Sequence, residues 1–516
     1  MANDEQPPRA LFGRPLAAVL TLGAGLRLFL LGDKTFWIDE IIRLNWSKGQ
    51  ELTRFFDVRP SEIGPGLPAL DLRHVFQLAR IHNPPLNALL MDLWIRSVGA
   101  EGDFAIRLPI ALMGALSVLG VYLWAREAFD EQVALLGALL TAVSPQLVHL
   151  AQEANHYALP LCLQSFATWF FFRMLRTRAR SDEAAFAGLT LLALFSHYFC
   201  IIVLFAQGGA LWFFWRTEPR RALVASRALL LPASALAAYL AINHRQLSEM
   251  TDPAIMGQHP ALPFFLSSST ANLSQPLTGD WWPEPVAGLV LLALLVCLAI
   301  FGAKGPDSDR RRAVLITALL PYAITMAAFW IVRKNSLLWP RYHSLFAPAF
   351  LVMIAAGVLS IRPRALSGGI AICLATVVAL GLHHYYAEFR MEDWRGAARV
   401  IDVHAGQNDA VIILPVNTTY ALARYLKHDL RMFGGDAEPG YFQKLRTTVV
   451  DAPAVWTVFA WDDASPLANA LRNTLSCRYI FRDDYALKEM SISRYHAAPA
   501  LEAGSRATQC ATRTIR

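Results

Sequence analysis

Two adjacent carboxylates, Asp39 and Glu40 in the stretch FWIDEIIRLNW, are the first residues whose types allow chemistry. Such a pair can take a proton from an attacking hydroxyl, bind a metal, or cap a surface helix. A second polar group follows at Arg80-Ile81-His82-Asn83-Pro84-Pro85-Leu86. The double proline breaks the chain and then starts a helix, because proline suits the first helical turn. His82 and Asn83 thereby fall at the positive end of a helix dipole. Next come Asp103-Phe104-Ala105-Ile106-Arg107-Leu108-Pro109 and Gln152-Glu153-Ala154-Asn155-His156-Tyr157, both at the mouths of long apolar segments. Polar groups beside lipid are costly unless they face protein or water. Plainer roles stand beside each: a capping carboxylate, a hydrated turn, a snorkelling arginine.

Cations form a second pattern. Arg27, Arg333, Lys334 and Arg341 lie near the ends of apolar segments, at one depth. A lipid phosphate at the headgroup level needs such partners, and arginine grips it bidentately. Interfacial anchoring is the competing role. Glu40 or Glu153 with His82 has ligand chemistry suited to a divalent cation. Their spacing is not a metal motif, so no cofactor is expected to be required and a divalent cation is the one the ligand types admit.

These residues need elements to position them. The chain has 516 residues, 55% hydrophobic and 17% charged; a soluble chain carries about 25% charged residues. A spanning helix needs about 20 mainly apolar residues. Eleven candidates meet or approach that: 14–31, 107–125, 133–150, 157–173, 184–197, 199–215, 222–243, 285–303, 313–332, 343–360 and 366–385. The long stretch 184–215 is split at Ser196-His197-Tyr198. Segment 84–98 is short and carries Asp92 and Arg96, so it is read as an amphipathic helix lying on the outer surface. Its Leu86, Leu89, Leu90, Leu93 and Trp94 share one face, with Asn87 and Arg96 turned toward water.

Orientation follows from the basic loops. Arg126, Arg173 to Arg180, Arg216 to Arg221, Lys304 to Arg312 and Arg362 to Arg364 all fall on one side if the N-terminus is cytoplasmic. The opposite side receives 32–106, 151–156, 244–284, 333–342 and the tail 386–516. The net charge of +7 is therefore a topology signal, and no nucleic-acid partner is expected, since no aromatic-basic binding module is present. Cys477 and Cys510 are expected to pair in an oxidising compartment. The other four cysteines lie in apolar segments, as small core hydrophobes.

The tail alternates helical patterns (393–404, 418–427, 465–475) with strand patterns at Ala410 to Leu414, Val455 to Ala460 and 478–482. It has no phosphate-cradling glycine motif. The expected fold is mainly α: a polytopic transmembrane bundle of about eleven spans over 1–385, then a small soluble α/β domain over 386–516.

The ordered motifs W-x-D-E, H-N-P-P-L, F-A-I-R-L-P and S-P followed by Q-E-A-x-x-Y-A-L resemble the GT-C glycosyltransferases. The branch they are similar to holds the protein O-mannosyltransferases and the bacterial lipid A aminoarabinose transferases. Ser196-His197-Tyr198, Arg341-Tyr342 and Asp393-Trp394-Arg395-Gly396 extend the likeness, in order, from about Leu26 to Ile401.

The resemblance implies a polyprenyl-phosphate-linked sugar donor and a lipid, protein or glycan acceptor. It implies inversion at the anomeric carbon on the periplasmic face of the inner membrane. Asp39 and Glu40 would be catalytic. His82, Asn83, Arg107, Gln152, Glu153, His156, Arg27, Arg341 and Tyr342 would bind substrates. Asn155-His156 departs from the Arg-Pro of many bacterial relatives, and His82-Asn83 from the Glu-Lys of the aminoarabinose branch. A transporter or flippase of lipid-linked substrates is the competing class. Transporters show repeated halves and broken midplane helices; here no repeat is seen, and the densest polar motifs lie in outer loops.

Overall fold

The computed structural model describes residues 13–48, 57–63, 84–242, 272–279, 285–304, 308–332, 339–389, 391–435, 441, 445, 452–461 and 465–499. These fall into two compact units. The first comprises Met1–Leu31, Ala79–Leu90 and Ala105–Phe389; the second comprises Gly32–Leu78, Met91–Phe104 and Arg390–Arg516.

All eleven candidate spans are helices, and the first unit is their bundle. Among the described residues, five helices are long and apolar enough to cross a membrane: Asp103–Ala128, Ala158–Thr177, Pro219–Tyr239, Asp309–Trp330 and Arg364–Glu388. A bent pair, Glu131–Val143 with Pro145–Ala151, kinked by 57°, is long and apolar enough only when its two helices are taken together. The remaining candidates are helices at Arg14–Leu28, Arg180–Leu194, Cys200–Thr217, Pro285–Gly302 and Ala347–Ser360. Residues 184–215 divide where expected, with Ser196 to Phe199 between two helices. Ala347–Ser360 is the centre of the bundle: Phe350 through Val358 are buried without a break. A helix apolar on every side is one surrounded by others. Its Gly357 lets the backbone at Leu298 of the Pro285–Gly302 helix approach so closely that no Cβ would fit, the device by which membrane helices gain contact.

The bend follows from local chemistry. Asp130 caps the Glu131–Val143 helix, accepting from the amides of Gln132 and Val133 at 3.0 Å each. Pro145 has no N–H to give Thr141, four residues back, so the ladder fails there. Ser144 then caps the next helix through the Leu147 amide at 3.3 Å.

Helix Leu86–Val98 has an unexpected polarity. Asn87, Met91, Asp92 and Ile95 are buried, while Leu90 and Leu93 are exposed. The expectation that Asn87 turns toward water is corrected: the protein takes the Asn87-Met91-Ile95 stripe and the leucines point outward. Asp92 is neutralised by Arg96 one turn on, at 2.7 Å.

The second unit is built on a five-stranded sheet. Its strands are β1 (Ala410–Leu414), β2 (Arg431–Gly434), β3 (Ala454–Ala460), β4 (Tyr479–Leu487) and β5 (Met490–Ala497), in the order β2-β1-β3-β5-β4. β1 pairs parallel with β2 and β3, Ala410 lying opposite Arg431 and Val455. β1 and β3 are buried throughout, as central strands covered on both faces must be. β5 runs antiparallel between β3 and β4. Three expected tail helices appear as Trp394–His404, Thr419–Tyr425 and Pro466–Ser476. Val58 from the loop after the first span bridges Met432 of β2, and Asp57 pairs with Arg431, so this loop packs with the tail. Cys477 is disulfide-bonded; its expected partner Cys510 lies outside the described residues.

Candidate functional site

The candidate residues divide between the two units. In the first, Arg107, Gln152, Glu153 and His156 are all buried. Glu153 organises this group. Its Oε1 receives His149 Nε2 at 2.9 Å, one helical turn earlier, and its Oε2 has no hydrogen-bond partner among the described residues. Burial pushes the Glu153 pKa up, but His149, Arg341 and Arg107 overcome this and leave it below the ordinary value. The carboxylate is therefore held ionised by three basic groups. Arg107 also donates to the Leu31 carbonyl at 3.1 Å, and Arg341 lies over the Trp339 ring at 5.1 Å.

An aromatic wall adjoins them. His156 stacks on His197 at 4.6 Å, and Tyr342 stacks on Phe199 at 4.8 Å. Tyr157 links the two pairs, 5.5 Å from His197 and 6.2 Å from Tyr342. Five of the expected substrate-binding residues, Arg107, Glu153, His156, Arg341 and Tyr342, thus belong to one connected neighbourhood.

Arg27 and Gln152 have other employment. Arg27 is fully buried and donates to Ala142 O at 2.9 Å, Thr141 O at 3.2 Å and Gly23 O at 2.9 Å. It thus serves the carbonyls that the Pro145 bend leaves open. Gln152 does the reverse: its Nε2 donates to the carbonyls of Leu26, Arg27 and Phe29, at 3.1, 3.0 and 2.7 Å. These close the end of the first helix, and Tyr385 holds the amide oxygen at 2.8 Å. Arg27 thus caps the Glu131–Val143 helix, while Gln152, just after Pro145–Ala151, caps Arg14–Leu28. Among the described residues, Arg27 Nε alone of these polar atoms has no hydrogen-bond partner; the phosphate role of Arg27 and the substrate role of Gln152 stand as proposals beside these capping roles.

In the second unit Asp39 and Glu40 open the helix Ile38–Ser47. Glu40 is buried, and its Oε2 accepts from the Trp37 amide at 3.3 Å, a cap for the helix start. Asp39 is half-buried in the first turn, where the helix dipole favours a carboxylate. The neighbouring Glu392 carboxyl is pushed above its usual range by burial, with the Asp39 charge adding to the effect. His82, Asn83, Arg333 and Lys334 lie outside the described residues. Among the described residues no three His, Cys, Asp or Glu side chains are grouped to hold a metal.

Sequence reasoning missed His149, although its spacing of four from Glu153 on a helix is the signal for such a pair. It also missed Glu392 and Tyr425, which no local pattern ties to Asp39.

Residues 82–245 match the family described as dolichyl-phosphate-mannose-protein mannosyltransferase. The matched stretch holds Arg107, Glu153, His156 and His197. Across 93% of this chain and 97% of the other, the fold superposes on ArnT from Cupriavidus metallidurans bound to undecaprenyl phosphate, with a TM-score of 0.59 and 13% identity. The chain therefore shares the fold of this membrane protein and, over 82–245, resembles the mannosyltransferase family. An oligosaccharyltransferase from Archaeoglobus fulgidus, in complex with zinc and sulfate, shares the fold at a TM-score of 0.51 and 13% identity, over 94% of this chain and 73% of that one. AglB from the same organism, in complex with an inhibitory peptide and a dolichol-phosphate, does so at 0.50 and 13%, over 93% and 74%. Among curated proteins none matches the sequence.

Proposed function

We propose that this protein transfers a sugar from a polyprenyl-phosphate carrier to a hydroxyl or phosphate acceptor on a lipid, protein or glycan, inverting the anomeric centre. The observation that carries the reading is the buried Glu153 carboxylate, which lies with Arg107 in the family-matched stretch and whose charge both Arg107 and Arg341 favour. Two arginines acting on one buried carboxylate suit a phosphate that gains charge as the glycosidic bond breaks. The similar structures support this donor class, ArnT being bound to undecaprenyl phosphate and AglB being in complex with a dolichol-phosphate.

In this reading the acceptor oxygen attacks the anomeric carbon while its proton passes to Asp39. The carbon–oxygen bond to the phosphate breaks, and the electron pair leaves with the polyprenyl phosphate. Arg107 and Arg341 take the departing charge. Glu40 shapes the turn that carries Asp39, and His82 and Asn83 are assigned to the acceptor. The aromatic wall of His156, Tyr157, His197 and Tyr342 offers faces on which a sugar ring or an isoprene unit can stack. No divalent cation is required by these roles. The protein is placed in the inner membrane, with a cytoplasmic N-terminus and a periplasmic tail, on the strength of its basic loops.

The test is mass spectrometry of lipids and glycans from native cells with and without the gene. A sugar modification that disappears in the deletion and returns with the intact protein is expected. An unchanged lipid and glycan profile in the deletion would overturn the proposal.

A further inference from the structure

The stretch Gly32–Trp37 enters the Asp39 helix as irregular, extended chain. Such a segment holds no position by itself, because it has no ladder to satisfy its amides. Yet Phe36 is fully buried and Thr35 nearly so, and what fixes them comes from the tail. The Phe36 amide donates to the Tyr425 hydroxyl at 2.9 Å. That hydroxyl donates onward to Asp103 Oδ2 at 2.7 Å. Thr35 Oγ1 donates to the Glu392 carbonyl at 2.6 Å, and the Arg424 guanidinium lies over the Phe36 ring at 4.6 Å.

The hub behind these contacts is Asp103, which binds Arg395 at 2.7 Å and Arg424 at 3.1 Å. Arg395 reaches back to the carbonyls of Gly32 and Asp33, at 3.2 and 3.3 Å. The Glu392 side chain is itself tied to Trp461 Nε1 at the end of β3. These contacts of Gly32, Asp33, Thr35 and Phe36 thus lead into the tail, directly or through Asp103.

We propose that the soluble tail is a working part of the transferase, with Tyr425 and Glu392 as positioning residues that clamp Thr35 and Phe36 and so aim the Asp39 carboxylate. This rests on the reading of Asp39 as the base. Asp39 is three residues beyond the clamped amide, so a shift at Phe36 passes almost undiminished into the first helical turn. Misplacing a catalytic group by about 1 Å costs roughly a hundredfold in rate.

The experiment uses the full chain in lipid nanodiscs, with Tyr425→Phe and Thr35→Val cutting the clamp from either side. Backbone hydrogen exchange is read on peptides covering 33–41, with β1 and β3 peptides as the control for folding. Turnover is read as polyprenyl phosphate released from lipid-linked sugars in native membranes. Both variants are expected to exchange about tenfold faster at 33–41, with β1 and β3 unchanged. The turnover number is expected to fall by about tenfold or more, while the KM for the donor lipid stays put. Unchanged exchange at 33–41 would overturn the clamp, and so would faster exchange with wild-type turnover. Wild-type turnover in Asp39→Asn would sink the base assignment alone. Exchange is read without substrate and would still decide the clamp.

Discussion

Replacing Arg27 by Lys separates two roles that sequence alone leaves open. The guanidinium makes buried hydrogen bonds to Thr141 O and Ala142 O, at 3.2 and 2.9 Å. Thr141 O has no helical donor because residue 145 is proline. A hydrogen bond to a charged donor contributes about 1.5–3 kcal/mol. A lysine keeps the charge but loses the fork, and its compact ammonium cannot span both carbonyls. The expected loss is about 2–3 kcal/mol for the abandoned carbonyl, partly offset as the site relaxes. For a unit of this size that lowers the melting temperature by roughly 3–6 °C. The assay is thermal unfolding in detergent, followed by the fluorescence of a thiol dye at the buried Cys162 and Cys200. Turnover per folded molecule is expected to remain within about threefold of wild type. An unshifted melting temperature with collapsed turnover would refute the reasoning and return Arg27 to the phosphate.

Four further outcomes are expected. The Glu153 pKa is depressed in the fold, so its contribution to stability is present above the unfolded value of about 4.5 and is lost as pH falls through the folded value; melting curves of wild type and Glu153→Gln should converge on acidification, and parallel curves would contradict this. Gly114→Ala would push a Cβ into Ala151 and to 3.1 Å from Arg27 Nε, destabilising the bundle by about 1–3 kcal/mol; a melting temperature equal to wild type would show that the contact yields. Cys477→Ser should lower tail stability by about 2–4 kcal/mol under oxidising conditions only, and a non-reduced digest should yield a peptide joining Cys477 to Cys510. Cysteines at the exposed Ser97 and at Arg178, in a cysteine-free chain, should label oppositely with an impermeant thiol reagent in spheroplasts, Ser97 from outside; external labelling at 178 would invert the topology.

What was legible in the sequence was whatever depends on local composition. Each apolar run became a helix, and the Ser196-His197-Tyr198 break was visible because no straight helix suits the length of 184–215. β1 and β3 were readable as short runs rich in Val, Ile, Trp and Phe, broken only by Thr457. β5 was not, because Ser491, Ser493 and Arg494 give it no apolar face to announce; it exists because β3 offers an edge. β2 has four residues, too few to show a period. In the site, Arg107 and Glu153 were found by their motifs. The caps made by Arg27 and Gln152 were not, since each joins groups more than a hundred residues apart. A buried arginine at a helix end looks the same in sequence whether it meets a phosphate or a carbonyl. Glu392 and Tyr425 were invisible for the same reason: their relation to Asp39 is made by the packing of the loop with the tail.

The most direct test of the central claim is turnover of purified Asp39→Asn in nanodiscs, measured by mass spectrometry as polyprenyl phosphate released from the lipid-linked sugars of native membranes. Asparagine keeps the shape of the carboxylate and removes its basicity. The expected result is a loss of about a hundredfold or more, with the melting temperature and donor lipid binding unchanged. Release at the wild-type rate by a folded Asp39→Asn protein would contradict the assignment of Asp39 as the base that takes the acceptor proton.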